Sequence, residues 1–345
     1  RNLKTRDFYQ MAGRAGRPRW DKEGQSILFA HSEREAKELY NRFVLGEPEE
    51  ITSKLAVEPV LRMHVLALIA SEVVSSESEL LDFFKSTFWG LQYGNAPALK
   101  KELDSVLELL SIWKFISMQD GYLKAGRIGK RIAELYIDPL SAHDFIRALE
   151  KPATDFGLLQ LISFSAELSP PLRVRKTEYD LIVSELAKRE QLLMNNPPNE
   201  WDIEYDDFLN SVKTALAFEG WANEIGEDRL FTEYRIAPGE LHGKKEIADW
   251  LLYALDELAG LMNKHEAKIA ARKLRLRMYY GIREELIQLI KLKGIGRVRA
   301  RRLFNKGYTK LSDLGAASVI DLSAILGSKV AESVKQQLET GAAQI

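Results

Sequence analysis

The stretch Gln10-Met11-Ala12-Gly13-Arg14-Ala15-Gly16-Arg17-Pro18 places two guanidiniums three residues apart and surrounds them with side chains too small to shield them. Positions three apart share a face of a helix. The spacing therefore predicts that Arg14 and Arg17 point together, while Gly13 and Gly16 leave room for a phosphate or an opposing backbone. Arginines placed this way can stabilise charge that develops on a γ-phosphate during nucleoside-triphosphate hydrolysis. A solvated basic helix would also satisfy the bare spacing. Thr5 is the expected cap of this helix, which should stop by Arg17 because Pro18 disfavours helix before it.

The full string Q-x-x-G-R-x-G-R-P resembles motif VI of superfamily-2 helicases. The resemblance implies catalytic roles for Gln10, Arg14 and Arg17, with the arginines acting across a cleft on a nucleotide held by another lobe and Gln10 coupling nucleotide to nucleic acid. The sequence contains no G-x-x-x-x-G-K-[ST] phosphate loop and no D-E-x-[HD] strand end. Opening on Arg1 with motif VI close behind, the chain reads as a piece of an ATPase that expects the remaining N-terminal lobes as its partner. ATP and Mg2+ are then cofactors of the intact enzyme, bound mainly by those lobes.

Composition narrows the classes. The 345 residues suffice for two to four domains, and an apolar fraction of 46% supports ordinary cores. No apolar run approaches the roughly 20 residues of a membrane span, so no membrane partner is expected. Cysteine is absent, and the 5 histidines show no ligand spacing, which leaves no metal site expected. The net charge of −1 conceals an asymmetry. Lys264 to Lys310 carries 15 Lys and Arg against 3 Glu, a local net of +12, and points to a polyanion-binding end.

Along the chain, Gln25 to Ala30 reads as a short buried strand, followed from about Ser32 by a helix with Ala36, Leu39, Tyr40 and Phe43 on one stripe. These would close a RecA-like α/β lobe. From Glu58 come three helical stretches, Val60 to Val74, Glu77 to Trp89 and Ala98 to Ile112, and then an alternating hairpin about Gln119-Asp120-Gly121. Three helices and a hairpin make a winged helix. Its middle helix is acidic, through Glu77, Glu79 and Asp82, so a structural hinge is expected rather than a DNA reader.

The run G-R-x-x-x-x-x-Y-I-D-P-L, from Gly126 to Leu140, is similar to the join between winged helix and helical bundle in archaeal DNA helicases of the Holliday-junction-migration family, relatives of the helicase domain of human DNA polymerase theta. That resemblance implies an ATP-driven 3′-to-5′ motor, acting as a monomer inside the cell (cytoplasmic, nucleoid-associated if archaeal) on single-stranded and forked or branched DNA in repair and recombination. It also implies that the helical stretch from Pro139 to Tyr280 is a ratchet bundle of about six or seven helices. Within it, Glu246 to Met262 has an apolar stripe of Ile247, Leu251, Ala254, Leu255, Leu258 and Met262, with Trp250 about 60° off centre. An indole at a core margin is often simple packing. The resemblance instead implies that Trp250 stacks on a base. About two turns earlier the family tends to carry a DNA-contacting arginine, where this chain has Leu241-His242-Gly243-Lys244-Lys245, so the contact would pass to His242, Lys244 or Lys245.

Near the C-terminus, Leu289 to Phe304 looks like a helix-hairpin-helix, a helix and a Gly294-Ile295-Gly296 turn leading into a second helix from about Arg297. Amides at that second helix's N-terminus and the helix dipole suit phosphate, and such a site reads backbone rather than sequence. Lys293, Gly294, Gly296, Arg297, Arg299, Arg301 and Arg302 are the candidate DNA contacts. A weaker copy, Leu326 to Ala331, reads as a packing hairpin.

The expected fold is mainly α, in four parts: residues 1–46 ending a second RecA-like lobe, 47–138 a winged helix, 139–280 a helical ratchet bundle and 281–345 a helix-hairpin-helix domain. The function expected is the C-terminal part of an ATP-dependent DNA helicase. Alternatives are an RNA helicase of the superkiller type, which usually carries a long insertion in its winged-helix region, and a non-enzymatic DNA-binding module.

Overall fold

The computed structural model describes residues 3–16, 19–21 and 23–340. It is mainly helical, with a single two-stranded sheet among the described residues. Two compact units are present, 1–56 with 84–96, and 57–83 with 97–345.

In the first unit, helices α1 (Thr5–Ala12) and α2 (Glu33–Phe43) pack through the rings of Phe8 and Phe43, 5.0 Å apart and both buried. Thr5 does not cap α1. Its backbone N–H donates to Glu49 Oε1 at 2.8 Å and that of Arg6 to Glu49 Oε2 at 3.0 Å, so a distant carboxylate covers the helix start while the Thr5 hydroxyl donates to the Arg42 carbonyl. The bonds from Arg6 and Thr5 hold the Glu49 carboxyl down to about 2. Ser32 caps α2 by accepting from the Glu35 N–H. The strand expected over residues 25–30 does not form. Ile27 and Phe29 are 70% and 88% exposed, because a strand needs a neighbouring ladder and none of the described residues supplies one.

The second unit begins with α3 (Glu58–Ala70), continues into α4 (Glu77–Lys85), and resumes after the short α5 (Phe88–Tyr93) with α6 (Ala96–Ile112). Helix α5 groups with the first unit, where the Gln92 side chain accepts from Ser53 N–H and donates to the Ile51 carbonyl. Strands β1 (Ile116–Gln119) and β2 (Tyr122–Ala125) pair antiparallel from Ile116↔Ala125 to Gln119↔Tyr122. Asp120 and Gly121 have φ of 49° and 78°, the two left-handed residues of the hairpin turn whose twist matches paired strands. Ser76 adds an antiparallel bridge to Tyr122. Helix α7 (Arg127–Leu135) follows and closes on Tyr136 in the left-handed region.

The Tyr-Ile-Asp-Pro-Leu run forms a corner rather than a loop. Asp138 is buried, accepts from Arg62 of α3 at 3.0 and 2.8 Å, and caps α8 (Pro139–Ala148) through the Leu140 N–H. Glu167 completes it by accepting from the Asp138 N–H and the Ser141 hydroxyl, each at 2.7 Å.

The bundle then comprises α9 (Asp155–Phe164), α10 (Tyr179–Arg189), α11 (Tyr205–Ala222), α12 (Glu227–Tyr234), α13 (Pro238–Leu261) and α14 (His265–Tyr280). With α8 that makes seven helices. Helix α9 is buried on every side from Phe156 to Ser163, so it is the axis on which α11 and α13 pack. The last domain holds α15 (Arg297–Asn305), α16 (Leu311–Ala316), α17 (Val319–Leu326) and α18 (Ser328–Glu339) around Leu289, Leu303, Leu322 and Val334. Before the hairpin, 284–286 and 289–291 form two tight turns where a helix was expected.

Candidate nucleic-acid interface

Helix α1 ends at Ala12. Gln10 therefore lies in its last turn and Arg14 beyond it, with the Arg14 N–H donating to the Met11 carbonyl at 3.1 Å; both side chains are exposed. Arg17 lies outside the described residues. The helix face that the spacing predicts for Arg14 is not formed, since Gly13 terminates the helix and a turn presents the guanidinium. Gly16, at φ 84°, is used for close approach of backbone. A Cβ there would meet Gly24 Cα at 3.3 Å, and one on Gly24 would lie 2.2 Å from the Ala15 carbonyl oxygen. These glycines accommodate a neighbouring loop of the same chain.

Helix α13 is 24 residues long, with Pro238 in its first turn where a missing N–H costs nothing. Leu251, Ala254, Leu255 and Leu258 are buried as the periodicity predicts, with Ile247 and Met262 at the margin. Trp250 is half-buried, and its indole N–H donates to the Leu135 carbonyl at 2.9 Å. Of the three residues expected to replace the family's arginine, His242 stands in solvent, 3.5 Å from Glu246. Lys244 does not. It is 6% exposed, donates to the Pro170 carbonyl, and burial lowers its pKa, so it anchors the helix. Lys245 is likewise withdrawn. Its ammonium sits 4.0 Å from the centre of the Trp221 ring, and burial lowers its pKa too. Lys244 falls three residues after Leu241 and four before Ala248, both buried, and that register was a readable sign.

In the helix-hairpin-helix, Gly294 has φ 89° and Gly296 is the N-cap of α15, with no side chain capping the helix. The first-turn amides of α15 remain open to an acceptor, and no atom lies within 4 Å of where a Gly296 Cβ would be. Gln337 of α18 grips the turn by accepting from the Lys293 N–H at 2.7 Å and donating to the Lys293 carbonyl at 3.1 Å. The Lys293 side chain is exposed, as are Arg299, which donates to the Gly294 carbonyl at 2.9 Å, and Arg302.

Arg297 and Arg301 differ. Arg297 donates to the Ile225 carbonyl at 3.1 Å and lies 4.7 Å over the Trp221 ring; burial pulls its pKa down. Arg301 is paired with Glu224 and with Glu285, and the bond it donates to Glu224 raises its pKa. Spaced i,i+4, they share the face of α15 that docks on the bundle. Of the four arginines expected to contact DNA, Arg297 and Arg301 are therefore engaged within the chain, and Arg299 and Arg302 are the ones left exposed.

Trp221, the platform for both Lys245 and Arg297, was missed in the sequence. Its indole N–H donates to the Met278 carbonyl at 2.7 Å, and Gly281, at φ 65°, leaves no room for a Cβ, which would lie 2.5 Å from the ring. Also missed were Arg131 and Arg275, which meet α13 beside Trp250. Elsewhere a polar cleft of about 780 Å³ is lined in part by Asp144, Arg147 and Ser163; burial raises the Asp144 pKa to about 6. Among the described residues there is no group of three or more His, Asp or Glu that could hold a metal, and the sequence has no phosphate loop. No helix among them is long and apolar enough to cross a membrane.

The family described as archaeal helicase, domain 4, matches residues 156–281, and the SAM-like helix-hairpin-helix tandem matches 286–340. Among curated relatives, the ATP-dependent DNA helicase Hel308 of Methanocella arvoryzae is 37% identical over 342 residues, 96% of this chain and 46% of the relative. That of Thermococcus kodakarensis is 37% identical, covering 96% of this chain and 30% of the relative, and that of Pyrococcus horikoshii 34%, covering 96% and 47%. The chain thus spans less than half the length of these relatives. The likeness to archaeal DNA helicases read from Gly126–Leu140 is borne out, as is a mainly α fold with a helix-hairpin-helix domain.

Proposed function

We propose that this chain is the C-terminal part of an ATP-dependent DNA helicase in which α13 and the helix-hairpin-helix hold a single strand while Arg14 and Arg17 serve a nucleotide bound by other lobes. The observation that carries the reading is the pairing, in one unit, of an open helix N-terminus at Gly296 with a half-exposed indole on the long helix of a segment matched as archaeal helicase domain 4. Trp250 supplies a stacking surface indifferent to base identity, as a translocating motor requires. The α15 amides, with Lys293, Arg299 and Arg302, hold phosphate without reading sequence. Arg14, presented by a turn, stabilises charge that appears in the transition state. His242 is the remaining candidate for the second contact along α13.

The finer parts of the proposal are 3′-to-5′ movement, forked or branched substrates in repair and recombination, magnesium held with ATP by the other lobes, a monomeric enzyme and an intracellular, nucleoid-associated setting. Of the alternatives, the superkiller-type RNA helicase is disfavoured because about 90 residues, without a long insertion, join Gly46 to Asp138, and because the matched relatives are DNA helicases.

Titration of a fluorescent single strand at several salt concentrations tests the reading. Trp250→Ala should weaken binding by about 1–3 kcal/mol with the salt slope unchanged, because stacking on a base releases no counterion. A loss of thermal stability alone would make Trp250 a core residue and remove α13 from the strand's path.

A further inference from the structure

Trp250 is not positioned by its own helix alone. Three residues of α13 spaced over two turns, Trp250, Tyr253 and Glu257, all meet α7. The Trp250 indole N–H donates to the carbonyl of Leu135, the last residue of α7, at 2.9 Å. One turn back on α7, Arg131 donates through Nη2 to the Tyr253 hydroxyl at 3.2 Å and to Glu257 Oε2 at 2.9 Å, while its Nη1 donates to Glu134 at 2.6 Å. Positions i, i+3 and i+7 form one stripe of a helix, so α7 lies along α13 and grips it at three successive points. From the other side, Arg275 of α14 makes two 2.8 Å bonds to Asp249 and lies 5.1 Å over the Tyr253 ring.

Helix α7 is itself fixed at its other end. A Cβ on Gly129 would lie 2.1 Å from the Phe115 carbonyl oxygen, so the helix is pressed against the backbone that leads into β1. The indole is therefore oriented by the hairpin module through a short rigid strut.

We propose that Arg131 is a positioning residue for Trp250: by clamping Tyr253 and Glu257 it sets α7 against α13 so that the Leu135 carbonyl fixes the indole in the orientation that stacks on a DNA base. This inference rests on the stacking role given to Trp250 above. A ring already held in its bound orientation loses less freedom when a base arrives, and that advantage is the whole of the effect. Arg131 does not touch DNA, since both ends of its guanidinium are engaged by carboxylates and the tyrosine hydroxyl. Its influence must pass through the ring.

The test uses the whole protein with 5-fluorotryptophan incorporated, the Trp250 resonance being assigned by its loss in Trp250→Ala. Without DNA, Arg131→Gln should shift or broaden that resonance. With a fluorescent single strand, Arg131→Gln should weaken binding about 3- to 10-fold, the range expected for one side chain left to be ordered on binding. The salt slope should not change, and in a Trp250→Ala background the substitution should have no further effect. Tyr253→Phe, which removes one acceptor and little volume, should give a smaller change in the same direction and serves if Arg131→Gln does not fold. An undiminished loss in the Trp250→Ala background with a flattened slope would make Arg131 a direct phosphate contact and overturn the proposal. An unmoved resonance would also overturn it. If the resonance moves but Trp250→Ala binds DNA normally, the positioning stands and the stacking role is what fails.

Discussion

Two arginine-rich stretches punctuated by glycine, Gly13 to Arg17 and Gly294 to Arg302, look alike on paper and are used differently. In the first, a turn holds Arg14 in solvent while the glycines admit a loop of the same chain. In the second, the face of α15 carrying Arg297 and Arg301 is given over to Trp221, Ile225, Glu224 and Glu285, and only Arg299 and Arg302 face outward. A cluster of positive charge is thus divided by helical phase between a face that fastens a domain and a face left to solvent.

The largest effect expected is on chemistry in the first stretch. In the intact enzyme Arg14→Ala should lower kcat about 10³-fold, on the order of 4 kcal/mol, with thermal stability unchanged. Parent kcat in that variant would remove the turn from the mechanism and break the comparison from one side.

At the docked face, Trp221→Ala should cost about 3 kcal/mol in chemical denaturation, since it removes the platform under Lys245 and Arg297 and empties the space beside Gly281. Arg301→Ala should cost less, about 1–2 kcal/mol, by leaving Glu224, itself only 15% exposed, without its partner. Parent stability in both variants would mean the interface holds nothing together.

The outward face is sharpened by salt. Replacing Arg299 and Arg302 together by alanine should flatten log Kd against log salt by about 1.4, or 0.7 per phosphate contact. The Arg297 and Arg301 pair should leave that slope alone, and the reverse result would exchange the two faces.

The smallest effect lies apart from both stretches and gives a control for general destabilisation. Asp144, raised to about 6, stays protonated in the folded chain at pH values where the unfolded chain has already ionised. Its contribution to stability is therefore fully present below about pH 4 and lost as pH rises to about 6. Asp144→Asn should stabilise the protein at pH 7 by about 1 kcal/mol, a figure reduced for partial solvent screening, and leave it unchanged at pH 4. Equal stabilisation at both pH values would show that the carboxyl is not buried in its charged form.

Sequence carried the helices well, because a buried stripe repeats whatever it packs on. The stripe of α13 and the hairpin at Asp120-Gly121 are local properties and were legible. The segment from Gln25 to Ala30 was not, since its apolar run says that it wants a neighbour and not whether one is there. Arg297 and Arg301 were misassigned for a related reason: Trp221 and Glu224 are more than 70 residues away, and nothing near α15 announces them. Arg131 and Glu257, which it binds, are 126 positions apart, and nothing near either residue announces the other.

That corner has a mechanical property. Apolar seams between helices can slip by a turn, one leucine exchanging for the next at little cost, whereas a buried guanidinium with two bonds to one carboxylate has a single registry. Arg62 and Asp138 therefore fix the registry of α3 against α8. A slip of one turn would strand the buried Asp138 carboxylate without its guanidinium.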